Sequence, residues 1–121
     1  MKIAVSSLGR TLEESLDKRF GRAAYFLVVD TDSMIFSVID NAAQANAGGA
    51  GIAAAQLVID SGVEAIITGQ VGPNALEVLN DTDIVLYQGI PGTVYENIVA
   101  YNQQKLTPIA SSGPAHAGMG H

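Results

Sequence analysis

Apolar positions along this 121-residue chain fall first into short strand-like runs and then into runs alternating with helical stripes. Residues 2–6 (KIAVS) predict a short buried strand. Residues 24–30 (AYFLVVD) predict a second, rich in aromatic and β-branched side chains, and residues 34–39 (MIFSVI) a third after a turn at 31–33. The polar stretch 7–21 between the first two is too long for a hairpin turn and reads as a loop. Residues 40–51 (DNAAQANAGGAG) are small, polar and glycine-rich, so they form another loop.

Residues 52–61 predict a helix apolar nearly all round, which should be largely buried, with Gly62 stopping it. Residues 64–68 (EAIIT) have the continuous apolar run of a central parallel strand. After a turn at 69–72, Pro73 suits a first helical position, and Ala75, Leu76, Val78 and Leu79 form a short helix's apolar face. Residues 83–87 (DIVLY) predict a fifth strand. Thr93 with Glu96 is a capping-box pattern that opens a last helix running to about Lys105. The expected organisation is a single domain over 1–106 and a flexible tail over 107–121.

The order β-β-β-α-β-α-β-α implies an α/β fold with a mixed five-stranded sheet between helical layers, its second half wound right-handedly. If the first strand points up, the long loop and all three helices start at the upper edge of the sheet. Helix starts present unpaired N–H groups and partial positive charge, so this edge is a natural anion site.

Charge sharpens that reading. The chain carries a net −6, yet four of its six bases (Arg10, Lys18, Arg19 and Arg22) lie in the first long loop. From residue 23 onward Lys105 stands against nine acids. Arginine suits an anion because its planar fork offers several fixed donors and stays charged. The bland alternative is a solvated run pairing with Glu13, Glu14 and Asp17. The acidic balance argues against general nucleic-acid binding. No run of about 18 apolar residues predicts a membrane span, and no long apolar N-terminal stretch predicts a signal peptide, so a cytoplasmic location is expected.

The absence of cysteine excludes thiolate nucleophiles and thiolate-held clusters. The histidines, His116 and His121, both lie in the tail. Any metal should therefore arrive with its own ligands, and no catalytic residue or protein metal ligand is assigned. The segment Gly49-Ala50-Gly51-Ile52-Ala53-Ala54 matches a loose dinucleotide fingerprint, but it does not directly follow a strand and has no acid about 20 residues on. It reads better as a loop that lets backbone amides approach an anion. No phosphate-binding G-x-x-x-x-G-K-[ST] loop and no G-x-S-x-G elbow is present. The strand order resembles ribonuclease H-like folds. Ser6 on the first strand, in place of an acid, argues against two-metal nuclease chemistry. Phe20, an aromatic within the polar loop, reads equally as a ligand contact or as a plug at the sheet edge.

Three segments, DKRFGRAAYF at 17–26, GAGIAAAQ at 49–56 and ITGQVGPNA at 67–75, together resemble the dinitrogenase iron-molybdenum cofactor biosynthesis family. The resemblance spans roughly residues 1–106. It implies a ribonuclease H-like, three-layer α/β/α fold of the nitrogenase accessory-factor type. The cysteine-free chain and the Arg19-Phe20-Gly21-Arg22 form look most like the orange-protein branch, whose members hold a preformed molybdenum–copper sulfide cluster non-covalently.

The resemblance implies non-catalytic binding or carriage of an anionic metal–sulfur cluster, either molybdenum–copper sulfide or iron-molybdenum cofactor-like. The implied contacts are Arg19, Phe20, Gly21 and Arg22, the glycines Gly48, Gly49 and Gly51, and the turn residues Gly69, Gly72 and Asn74. Many nitrogenase-linked relatives carry histidine at the position of Arg19 and near the glycine loop, where this chain has residues 44–48 without one. That departure weighs against direct imidazole coordination. The resemblance also implies a possible ParA/MinD-type ATPase partner and a monomer or weak homo-oligomer. Two rival readings stay open: a scaffold module whose apolar stretch 42–55 docks such an ATPase without a cluster, and a phosphate- or nucleotide-binding enzyme using the same edge.

Overall fold

The structure is a computed structural model and describes residues 1–41 and 49–109. Elements follow in the order β1 (Lys2–Ser7), β2 (Tyr25–Asp30), β3 (Phe36–Asp40), α1 (Ala50–Asp60), β4 (Ala65–Thr68), α2 (Pro73–Asn80), β5 (Val85–Gln88), α3 (Val94–Asn102) and β6 (Thr107–Pro108). They build one mixed sheet in the order β3-β2-β1-β4-β5-β6. β1, β4 and β5 run parallel, and β2 is antiparallel to both β1 and β3. The carboxyl ends of β1, β3, β4 and β5 therefore share one edge, and α1, α2 and α3 all begin there.

Period-two alternation along the strands divides the core in two. On one face Ala4, Phe26, Val28 and Ile66 pack against Ala54, Ala55 and Val58 of α1 and Leu76 and Leu79 of α2. On the other, Ile3, Val5, Leu27 and Ile67 pack against Val94 and Ile98 of α3. The result is the expected three-layer α/β/α arrangement. α1 buries one stripe instead of its whole surface, and Ile52 is 44% exposed, because α2 and the sheet cover only its inner side.

Among the boundaries that differ from expectation, three have a clear physical reason. The sheet has six strands, not five: Thr107 and Pro108 pair with Gln88 and Tyr87, and the Ile109 N–H donates to Leu86 O (2.8 Å). A two-residue strand holding a proline carries no strand pattern, so 107–109 read as tail. α1 begins at Ala50, earlier than residue 52, because Gly49 takes a left-handed conformation (φ 73°) that starts the helix inside the glycine run. β3 starts at Phe36, since Met34 has φ 64° and the Asp30 carboxylate accepts the N–H groups of Asp32 and Ser33, lengthening the turn. The loop residues 42–48, half of the proposed 42–55 interface, the tail residues 110–121 and both histidines lie outside the described residues.

Candidate functional site

The long β1–β2 connection crosses the carboxyl edge of the sheet as two hydrogen-bonded halves. The first half is laid along the start of α3. Leu16 N–H donates to Gly92 O (2.9 Å), Val94 N–H to Glu14 O (2.8 Å) and Tyr95 N–H to Leu12 O (2.9 Å). The Thr93–Glu96 capping box is complete: Glu96 N–H donates to Thr93 Oγ1 and Thr93 N–H to Glu96 Oε1. The first-turn amides of α3 are thus consumed by the chain itself. The sequence places three helix starts at an anion edge, and the structure removes this one.

The second half, residues 17–23, lies over the α1/α2 side. Asp17 is 3% exposed. Its carboxylate accepts the backbone N–H of Arg19 (3.0 Å) and the Arg19 guanidinium through Nε (3.2 Å) and Nη2 (3.2 Å). That hydrogen bond and the carboxylate charge hold the Arg19 pKa above its ordinary value. Arg19 remains 59% exposed, so the pair fixes the fork and leaves it facing outward. Lys18 and Arg22 are exposed beside it.

Below the basic residues the segment is locked to β4. Gln70 N–H donates to Lys18 O (2.6 Å) and Phe20 N–H to Gln70 O (3.0 Å). A Cβ on Gly69 would lie 2.3 Å from Lys18 O, so only glycine permits this pairing. Ser6 Oγ donates to Asp17 O (2.6 Å) and meets Thr68 Oγ1 (2.7 Å), seating the turn on the ends of β1 and β4. Phe20 is fully buried, its ring 5.2 Å from that of Phe26. Of the two readings offered for Phe20, the buried ring matches the plug: it packs in the α1/α2 core and anchors the loop.

Gly21 brings the pieces together. A Cβ there would stand 2.9 Å from Gly51 Cα, and one on Gly51 would stand 3.2 Å from the Ala75 Cβ. The loop therefore meets the first turn of α1 backbone to backbone, and that turn packs in turn on the Ala75 side chain in the first turn of α2. Neither helix has a side-chain cap or an acid in its first turn, and α2 opens on Pro73. The first intrahelical bonds run from Ala53 N–H to Gly49 O (3.0 Å) and from Leu76 N–H to Gly72 O (2.9 Å). The earlier amides of Gly51 and Ile52, and of Asn74 and Ala75, have no acceptor within their helices.

Of the sequence-derived positions, Gly21, Gly49, Gly51, Gly72 and Asn74 converge here, with Arg22 next to Gly21 in the chain; Arg19, two residues before Gly21, lines a cleft with Leu8, Leu16 and Gln70. Gly69 supports the loop from beneath, and Gly48 lies outside the described residues. Sequence reasoning named Asp17 only among three acids of a solvated run, whereas the structure makes it the buried group that orients Arg19. Sequence reasoning missed Asn41, whose Nδ2 donates to Gly21 O (3.2 Å) and Ala23 O (2.8 Å), bracing the turn from β3. The Asp17–Arg19 spacing was a visible signal for the first; nothing local marks Asn41.

The donor set is N–H groups and guanidinium. Among the described residues no group of three or more His, Asp or Glu could hold a metal ion. No helix there is long and apolar enough to cross a membrane. Such a site suits an anion that supplies its own metal ligands and would bind a bare metal ion poorly.

Comparison with known proteins gives the family and the fold. The family model described as "Dinitrogenase iron-molybdenum cofactor" matches residues 1–104. The apo form of the orange protein from Desulfovibrio gigas superposes with a TM-score of 0.86 at 38% identity, covering 91% of this chain and 93% of that one. A candidate NifB protein from Thermotoga superposes at 0.78 with 34% identity, covering 93% and 98%. An uncharacterized protein of Methanocaldococcus jannaschii is 26% identical over 110 residues, 88% of this chain and 93% of its own length.

Proposed function

The chain belongs to the dinitrogenase iron-molybdenum cofactor family, and on that premise we propose that it binds or carries an anionic metal–sulfur cluster at the α1/α2 side of the carboxyl edge. The observation that carries this is the close approach of Gly21 to Gly51 and of Gly51 to Ala75, which sets two uncapped helix starts beside the loop that carries Arg19 and Arg22. A molybdenum-containing cluster, either molybdenum–copper sulfide or iron-molybdenum cofactor-like, fits because it brings sulfide ligands that the cysteine-free chain lacks. The family match supports a metal cofactor as cargo, and the similarity to a protein solved in an apo form supports a binding role.

Arg19 supplies a fork pre-oriented by Asp17, Arg22 a second positive charge, and the helix amides neutral donors that need no reorganisation. This role is binding, not catalysis.

The test is molybdenum analysis with a visible spectrum after incubation with tetrathiomolybdate, with and without copper. Stoichiometric molybdenum and new charge-transfer bands are expected. The Arg19→Ala/Arg22→Ala double variant should bind more weakly by about 1–3 kcal/mol per lost charge-assisted contact. Unchanged uptake by a folded double variant would overturn the site, and a colourless wild-type protein would overturn the function.

A further inference from the structure

The two outer strands of the sheet are finished differently. β6, with its proline, closes the β5 side. β3 ends the other side, and among the described residues nothing pairs with its outer edge. Its sequence FSVID holds neither proline nor lysine, and its register with β2 runs without a bulge, so it lacks the usual devices that blunt an open edge. The direction of its backbone groups follows from the neighbouring bonds. Thr31 N–H donates to Met1 O (2.9 Å), so the odd-numbered residues along β2 face β1. Asp30 N–H donates to Ile35 O (2.9 Å) and Asn41 N–H to Ala24 O (3.1 Å), so the even-numbered ones face β3. Because bonded positions alternate along an antiparallel pair, Ile35, Ser37, Ile39 and Asn41 turn their backbone groups toward β2. Phe36, Val38 and Asp40 turn theirs outward. Apolar surface lies at the same edge: Ile35 is 73% exposed, and Ile35 and Phe36 line one cleft of about 300 Å³ with Val28, Ser37, Lys2 and Asp30.

We propose that two copies of this chain pair through β3, antiparallel and about a two-fold axis at Val38, joining their sheets into one. The outward row is symmetric about that residue. Val38 meets Val38 of the other copy, and Phe36 meets Asp40, so every outward N–H and C=O gains a partner in about six hydrogen bonds, two at each facing pair. A shift by one residue would set outward groups against groups already turned to β2, so the row fits its own copy in one register. Ile39 of the other copy then falls opposite Ser37 and diagonal to Ile35, against the apolar cleft. Asp40 is the one charge on the outward row, and it faces Phe36 instead of another carboxylate. The pairing does not rest on the cluster reading. Its antiparallel sense puts the two carboxyl edges at opposite ends of the joint, leaving each copy its own edge.

The test is sedimentation equilibrium of the full chain from about 1 μM to 1 mM, joined to oxidation of single-cysteine variants, which the cysteine-free sequence makes clean. Wild type should pass from monomer to dimer within that range. Val38→Cys should form a disulfide dimer on mild oxidation, because its Cα would lie about 5.5 Å from its counterpart. Ile35→Cys is the control: it is more exposed, yet it would stand about 20 Å from its counterpart, six residues along the paired strand, and should stay monomeric. Val38→Pro removes a central outward N–H and should abolish the dimer while keeping the wild-type circular dichroism spectrum. Ile35→Lys, at an exposed position that leaves the core intact, should weaken dimerisation by about tenfold, since the change counts twice across the axis. Disulfide formation as fast at 35 as at 38, or a dimer that survives in folded Val38→Pro and in Ile35→Lys, would overturn the pairing. A wild-type chain monomeric throughout would overturn it too, and hydrogen exchange would then say what has the edge instead: protected Phe36, Val38 and Asp40 amides in the monomer assign it to the chain's own residues 42–48, unprotected ones leave it to a strand of another protein. No readout uses molybdenum, so failure of cluster uptake leaves the result standing.

Discussion

Three helices begin on the same edge of one sheet, and they begin in opposite ways. α3 starts with a complete capping box and receives two carbonyls from the β1–β2 connection. α1 and α2 start on glycine, with no side-chain cap and no acid in the first turn. Caps and first-turn acids each stabilise a helix by about 0.3–1 kcal/mol. Leaving both out at two adjacent helices forgoes stability where a ligand could supply the missing acceptors. The difference teaches that a helix start becomes an anion site only when the chain declines to satisfy it.

The most severe way to break this contrast is Gly69→Ala. Its Cβ would collide with Lys18 O, and the basic segment would lift from β4. A loss of about 3 kcal/mol in denaturant unfolding is expected, accompanied by loss of tetrathiomolybdate uptake. Thr93→Ala attacks the closed half. It should cost about 1 kcal/mol through loss of the cap while uptake stays unchanged.

Gly72→Asp sharpens the contrast by closing an open start. Gly72 has extended backbone (φ −66°, ψ 161°) and nothing near its missing Cβ, so an aspartate can cap α2. Stability should rise by a few tenths of a kcal/mol. Cluster uptake should fall, because the new carboxylate takes the amides and repels the anion. The smallest effect lies away from both halves. N–H bonds from Ser33 and then Asp32 hold the Asp30 pKa below its usual value. Its contribution is full above the unfolded carboxylate range near about pH 4 and is lost as pH falls through the lower folded value. Asp30→Asn should remove that part of the acid slope in a pH-dependent melting series and leave uptake untouched.

Much of the open half was legible in the sequence, because glycines, prolines and arginines signal through backbone freedom and charge. The order of elements, the parallel second half and the Thr93–Glu96 box were legible for the same reason: each depends on residues close together in the chain. The closing of α3 was not. It depends on Leu12 and Glu14 meeting residues about 80 positions away through backbone atoms, which any sequence would supply. Phe20 was ambiguous because its neighbours in the chain are polar while its neighbour in space is Phe26. β6 was invisible because Pro108 is the residue that argues against a strand.

That short sixth strand has a consequence for solubility. β5 exposes Val85 and would otherwise offer a bare row of backbone donors and acceptors to any passing chain. Thr107 and Pro108 cover part of that row, and proline has no N–H with which to recruit another strand. Two residues thus help to keep the sheet from growing on that side. A chain shortened to end at Leu106 would keep its α1 and α2 starts in place and become prone to assemble edge to edge.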